Sequence, residues 1–215
     1  MARRKSLAFL DVGQGDCFVA DTKSGAIIFD GGSSSEDQVG RYRILPYMKY
    51  LGYQKIQIAV ISHMDIDHYS GIKELLEMGK IKYLGLPEIP KDETMKKIIG
   101  IAKKRGTTIF YLSRGRQITT KDGSLKVLHP QKNSQMEKNA ASLVMQGKIL
   151  GYRVLLTGDV EKEGEEELLS EELERADILK AAHHGSKNST SNKFLQKVQP
   201  KQTVISCGKQ NRYGH

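Results

Sequence analysis

Ser62-His63-Met64-Asp65-Ile66-Asp67-His68-Tyr69-Ser70-Gly71 decides how this chain is read. Two histidines and two aspartates fall within the six residues from His63 to His68. The run before it, Lys55-Ile56-Gln57-Ile58-Ala59-Val60-Ile61, is apolar and β-branched, which predicts a buried strand. Behind it, Ile72, Leu75, Leu76 and Met78 recur at helical spacing, with Lys73, Glu74 and Glu77 between them. The ligand-type side chains therefore sit on the turn that leaves a strand and opens a helix, where open α/β sheets bind their ligands. Four such groups at one turn would repel each other or go unsatisfied unless a cation gathered them.

Three other stretches share this pattern of an apolar strand ending in Asp or His beside glycine. They are Asp30-Gly31-Gly32, Gly158-Asp159 and His183-His184-Gly185. Taken singly, the first reads as a tight turn and the second as a helix N-cap, while a doubled histidine says little.

Outward from these clusters, strands are expected at Ser6 to Asp11, Cys17 to Asp21 and Ala26 to Phe29, the last two forming a hairpin over Lys23-Ser24-Gly25. An amphipathic segment spans about Asp37 to Leu51, kinked or divided by Pro46. Tyr83 to Leu86 predicts a short strand and Glu93 to Lys104 a helix. Thr107 to Leu112 and Leu125 to Leu128 read as strands flanking the basic loop Arg114-Gly115-Arg116. Ser142 to Met145 and Ile149 to Leu156 read as a hairpin turning through Gly147. Glu161 to Glu174, with eight glutamates and leucines at 168, 169 and 173, reads as a solvated helix with one apolar stripe. A strand from Asp177 to Ala182, a helix from Phe194 to Val198 and a strand from Thr203 to Ser206 complete the order. No linker, low-complexity tract or repeat interrupts it. One domain over 1–215 is expected, with two sheets packed between helices.

With 38% apolar and 27% charged residues, the 215-residue chain has the make-up of a globular protein able to bury a sizeable core. Its net charge of +9 favours anionic partners such as nucleic acid, anionic lipid or phosphorylated substrates. The two cysteines, Cys17 and Cys207, lie in apolar stretches and are expected to be buried free thiols, with no disulfide framework and no cysteine-based zinc site. No apolar run approaches a membrane span. The basic start Met1-Ala2-Arg3-Arg4-Lys5 leads into a stretch broken at Asp11, which argues against a signal peptide.

The turn His63-Met64-Asp65-Ile66-Asp67-His68 resembles the His-x-His-x-Asp-His motif of the metallo-β-lactamase fold, with aspartate in place of the middle histidine. More closely, the chain resembles the metallo-β-lactamase-like domain of the ComEC family of DNA-internalisation competence proteins. The matching blocks are Leu10-Asp11-Val12-Gly13-Gln14-Gly15-Asp16, Phe29-Asp30-Gly31-Gly32, Ser62 to His68, Leu156-Thr157-Gly158-Asp159, Leu179-Lys180-Ala181-Ala182-His183-His184-Gly185-Ser186 and Asn211-Arg212-Tyr213-Gly214-His215. The resemblance implies an αββα sandwich of the α+β class with a two-metal site at one edge of the sheets. It implies that His63 and Asp65 serve one metal, that Asp67 and His68 serve the other, and that Asp159 bridges them. One histidine of the pair closes the second site. His184 is favoured as that ligand and His183 as a phosphate-binding or proton-transfer group, though sequence alone does not order them.

Asp67 and His183 are thereby expected to take part directly in the chemistry. Asp16, Asp30 and Asn139 are expected behind the ligands, and Ser186, Arg114 and Arg116 against the substrate. The family's third-motif histidine has no clear match; His129 and Asn139 are the nearest residues, His129 reading better as a turn residue. The oxygen-rich site at Asp65 shifts preference towards Mn²⁺, with Zn²⁺ as the other metal.

The activity implied is a metal-dependent phosphodiesterase or nuclease acting on single-stranded DNA without reading its sequence, in DNA uptake. Two alternatives remain open: hydrolysis of small phosphodiesters such as phosphorylcholine esters or cyclic nucleotides, and a metal-poor DNA-binding module steering a strand to a membrane channel. No nucleotide cofactor is expected. In the family, proline and further sequence follow the final block, so the chain is expected to be excised or truncated. An excised domain would lie at the outer face of the cytoplasmic membrane beside the channel portion of a ComEC-like protein, and a free-standing one in the cytoplasm.

Overall fold

The computed structural model describes residues 5–209; the final block Asn211 to His215 lies outside them. Strands β1 (Ser6–Phe9), β2 (Phe18–Thr22) and β3 (Gly25–Phe29) form an antiparallel meander. A π-helical turn, Gly40–Ile44, runs directly into α1 (Leu45–Tyr50), with Pro46 in its first turn where a missing N–H goes unnoticed. Then follow β4 (Ile56–Val60), α2 (Ile66–Glu77), β5 (Ile81–Pro87), α3 (Glu93–Lys104) and β6 (Thr108–Leu112). Strands β3 to β6 pair in parallel, completing a six-stranded sheet in the order β1-β2-β3-β4-β5-β6.

The second sheet uses β7 (Gln117–Thr120), β8 (Gly123–His129), β9 (Val144–Ile149) and β10 (Tyr152–Leu156), all antiparallel. After α4 (Glu163–Ser170) come β11 (Ile178–Lys180), a 3₁₀ turn (Ala182–Gly185), α5 (Asn192–Val198) and β12 (Gln202–Val204). Strands β11 and β12 add in parallel to β10, giving the order β12-β11-β10-β9-β8-β7.

Strand alternation builds the layers. Ile28, Ala59 and Leu84 pack with Met48, Ile72, Leu75 and Met95 of the helices on one outer face. The alternate residues Phe18, Ile27, Phe29 and Val60 meet Leu125, Val127, Met145 and Val154 between the sheets. On the far side Val144, Leu155 and Leu179 pack with Leu168, Phe194 and Val198. Strands buried on both faces read as continuous apolar runs, which is why the sequence marked them so plainly. The result is the expected αββα sandwich.

Several expectations are corrected. The β9–β10 hairpin turns at Leu150-Gly151, and Gly147 lies inside β9. A Cβ on Gly147 would stand 2.1 Å from the Ser124 carbonyl oxygen, so glycine there serves close strand contact. Strand β7 was unmarked because Gln117-Ile118-Thr119-Thr120 holds a single aliphatic residue. The acidic helix is shorter than its run of glutamates and only partly solvated. Glu165 is buried and accepts from the Ser191 N–H, and Glu167 bonds His129 and Arg114. Cys17 is buried, but Cys207 is exposed. No helix of the described residues is long and apolar enough to cross a membrane.

Candidate metal centre

All the marked clusters meet at one edge, beyond the carboxyl ends of β3, β4, β10 and β11 and beside the β1–β2 connection. Asp159 is the focus. Its Oδ2 lies 3.1 Å from Nε2 of His68, 3.5 Å from that of His184, 3.9 Å from that of His63 and 4.0 Å from that of His183. Asp65 Oδ2 lies 3.5 Å from His63 Nε2, and Asp67 Oδ2 3.3 Å from His184 Nε2. The Nε2 atoms of His63, His68 and His184 are buried and, among the described residues, have no hydrogen-bond partner. A buried polar atom without a partner is destabilising by about 1–3 kcal/mol. Three in one cluster fit a site that binds a cation.

Each ring is aimed from behind. Asp30 Oδ2 is 3.0 Å from His68 Nδ1, while its Oδ1 accepts the Ser62 N–H at 2.7 Å. Asp30 reaches both because its backbone is left-handed, φ 57°, a strained conformation for a non-glycine residue. His184 Nδ1 lies 2.8 Å from the Ser206 carbonyl oxygen and donates to it, leaving Nε2 as the bare nitrogen. His63 Nδ1 meets Ser62 Oγ at 3.0 Å.

The 183–184 pair is thus ordered by the tertiary structure. His184 is buried in the cluster, whereas His183 is half-buried at the mouth with Nδ1 3.0 Å from Glu161 Oε2. Both have left-handed backbones, φ 47° and 54°, which turns adjacent side chains to different places.

The charges support each other. Burial opposes ionisation of Asp159, but His68 and Lys180 hold its carboxyl well below the usual range. Burial likewise opposes protonation of His68, yet Asp159 and Asp30 raise it well above the ordinary imidazole value. His184 is raised too, against its burial, by Asp67 and Asp159. The Asp65 carboxyl, with the His63 ring beside it, is lowered to about 2.

Other expected residues stand elsewhere. Asn139 shows no side-chain bond to the cluster; its carbonyl accepts the Ser142 N–H, and the Ser142 hydroxyl in turn accepts from the Asp159 N–H at 3.2 Å. His129 is fully buried, with Nε2 2.7 Å from the Ala140 carbonyl oxygen and Nδ1 3.1 Å from Glu167, and it serves structure. Ser186 is buried, and its hydroxyl accepts the Asn188 N–H.

Arg114, expected against the substrate, is tied to the scaffold, donating to the Leu128 carbonyl at 2.9 Å and to Glu171 and Glu167 at 2.8 Å each. Arg114→Ala should lower stability by about 1–2 kcal/mol with unchanged activity per folded molecule, as thermal melts beside specific activity would measure. Arg116 is exposed on the β6–β7 loop. Because β5 and β6 are parallel, α3 runs back between them, and Lys103, Lys104 and Arg105 end at the edge opposite the cluster.

Sequence reasoning gave Lys180 no role. It is buried on β11, ion-paired to Asp16 Oδ2, 3.6 Å from Asp159 Oδ1 and bonded to the Gly158 carbonyl at 3.0 Å. A lysine closing a strand carries no local sign of burial. Its place inside the block shared with the ComEC family was the one available signal.

The metallo-β-lactamase superfamily model matches residues 10–209. ComE operon protein 3 of Bacillus subtilis (strain 168) is 36% identical over 96% of this chain and 29% of its own length. Competence protein ComA of Neisseria gonorrhoeae is 29% identical over 95% of this chain and 27% of its own length. The chain therefore spans under a third of either relative. Among solved structures, the metallo-β-lactamase fold protein YhfI from Bacillus subtilis matches with a TM-score of 0.61 at 14% identity, covering 94% of this chain and 86% of that one. The αββα sandwich and the match along almost its whole length make this chain a member of the metallo-β-lactamase superfamily.

Proposed function

We infer that this chain is a metal-dependent phosphodiesterase acting on DNA. The observation that carries the reading is the convergence of buried, unbonded imidazole nitrogens on Asp159 Oδ2. His63, Asp65 and Asp159 would hold one divalent cation, and Asp67, His68, His184 and Asp159 a second. Asp65 adds carboxylate oxygen to the first position, which favours Mn²⁺ over Zn²⁺. When bound, such ions supply Lewis acidity and an activated water at neutral pH.

The chain's own residues do the rest. Asp30 and the Ser206 carbonyl orient the rings of His68 and His184, keeping each Nε2 turned inward. Their packing excludes bulk water from behind the cluster. His183, at the open side and backed by Glu161, is placed to pass a proton to a departing oxygen. Lys138, exposed and 3.4 Å from Asp65 Oδ1, stands where a phosphate would enter. The competence relatives favour DNA over small phosphodiesters, and in that setting a membrane channel would be the neighbouring partner.

The test is hydrolysis of single-stranded DNA with Mn²⁺ or Zn²⁺, set beside bis(p-nitrophenyl) phosphate and small phosphodiesters, with Asp65→Ala as control. Equal activity in wild type and variant would sink the reading. Preference for the small esters would move the substrate, and DNA binding without metal uptake would favour the binding-module alternative.

Proton linkage gives a second check. The raised imidazoles of His68 and His184 stabilise the metal-free fold while protonated, and that contribution is lost as pH rises through their folded values. Ligation needs them neutral. Metal affinity should therefore rise with pH, and binding at pH ~7 should release protons, read by calorimetry in buffers of differing ionisation enthalpy. Binding with no proton release there would contradict it.

A further inference from the structure

Lys180 is a buried cation inside a cluster built for cations. Its ammonium meets Asp16 Oδ2, the Gly158 carbonyl oxygen at 3.0 Å and Asp159 Oδ1 at 3.6 Å. The four imidazole Nε2 atoms all approach the other oxygen of Asp159, Oδ2. The bridging carboxylate is thus divided, with one oxygen facing the fixed ammonium and the other facing the histidines.

Asp16 belongs to the same device. Its carboxylate approaches the rings on their Nδ1 side, 3.7 Å from His68 Nδ1 and 3.8 Å from His184 Nδ1. Its backbone is tied into the site, with the Asp16 N–H donating to the Asp67 carbonyl and the Gly32 N–H donating to the Asp16 carbonyl. Although its oxygens lie close enough to His68, His184 and Asp159 to share a cation, its partner on the spot is Lys180.

We propose that Lys180 is a positioning residue that holds Asp159 Oδ1 on its own side, leaving Oδ2 as the oxygen turned to the imidazoles, and that limits how tightly the site would hold divalent metal. This rests on the two-metal reading above. The physical argument is a comparison of states. Without metal, Lys180 offsets the carboxylates of Asp16 and Asp159; divalent cations bound in the same buried cluster would be repelled by that ammonium. Removing its charge therefore harms the metal-free protein more than the metal-loaded one. By linkage, that difference must appear as tighter metal binding. A site that holds its ions less tightly in exchange for a fixed bridging geometry can be both filled and emptied.

The experiment titrates the metal-free 215-residue chain with Mn²⁺ and with Zn²⁺ by calorimetry and follows thermal unfolding with and without metal. Lys180→Gln, which keeps a hydrogen-bond donor, should bind metal about tenfold more tightly. Its metal-free melting temperature should fall, while its metal-induced rise should exceed that of wild type. The double variant Asp16→Asn/Lys180→Gln removes one charge of each sign and should return affinity to within about threefold of wild type. It also guards against poor folding of the single variant.

Affinity equal to or weaker than wild type in Lys180→Gln, with both melting temperatures lowered alike, overturns the proposal and leaves Lys180 a structural residue. If the single variant does not fold, a double variant bound much more weakly than wild type overturns it, because Asp16 would then be a ligand. Wild-type protein that takes up no metal overturns the two-metal reading and this inference with it, a result distinct from the others.

Discussion

Asp159→Ala is expected to lower metal affinity by a hundredfold or more and to abolish hydrolysis. Groups that merely orient a metal ligand typically change affinity about 10–100-fold, and under the proposed two-metal reading a shared carboxylate should exceed that range. The location of the loss is specific. Oδ2 is where His63, His68, His183 and His184 converge, so its removal takes away the one group that all four approach. The fold should persist, because Lys180 keeps its ion pair with Asp16 and its bond to the Gly158 carbonyl. Metal content of the purified variant, beside its circular dichroism, is the decisive measurement. Wild-type metal content in folded Asp159→Ala would refute the assignment of the bridge.

Gly32→Ala should damage the site from a position that bears no functional group. A Cβ there would lie 2.6 Å from the Asp67 carbonyl carbon, the His68 nitrogen and the Ile66 carbonyl oxygen. All three are backbone, so no side chain can swing aside. Overpacking of this kind is destabilising by about 1–3 kcal/mol. The strand end and the His63–His68 turn must separate, moving Asp67 and His68. A displacement of about 1 Å is enough for a hundredfold loss of rate. Gly100→Ala, in α3 with nothing within 4 Å of the new Cβ, is the control. It should be neutral or stabilising by up to about 1 kcal/mol. Thermal melts and metal content of the two variants separate the effects; a Gly32→Ala protein with wild-type values in both would show that the turn yields freely.

The contrast between these two glycines illustrates how far sequence reading reaches. Phe29-Asp30-Gly31-Gly32 was legible as a polar turn closing an apolar strand, yet nothing local distinguishes Gly32 from a flexible loop glycine. Its requirement comes from α2, whose first turn passes against it. The same division runs through the site. Asp30 is legible in the sequence as a polar residue closing a strand, but which ring it holds, and the left-handed backbone from which it meets both His68 and the Ser62 N–H, belong to the folded chain. The basic loop Arg114-Gly115-Arg116 suggests substrate contact and shows nothing of the carboxylates that Arg114 meets. Its partners Glu167 and Glu171 arrive from α4 and the segment just after it, within an acidic run that itself looked solvated.

By itself the sequence determined the layers and the edge at which the chemistry sits. Apolar runs buried on both faces specify strands, helical periodicity specifies the covering helices, and Asp or His at strand ends gathers wherever parallel strands share a direction. These are local properties of burial and spacing. The tertiary structure alone decided that His184 rather than His183 turns inward, that Gly147 is pressed against a neighbouring strand, and that Lys180 lies among the carboxylates. Each depends on partners distant in sequence. A lone lysine or glycine carries no mark of what will be packed against it, whereas burial and charge pairing exist only once the strands have met.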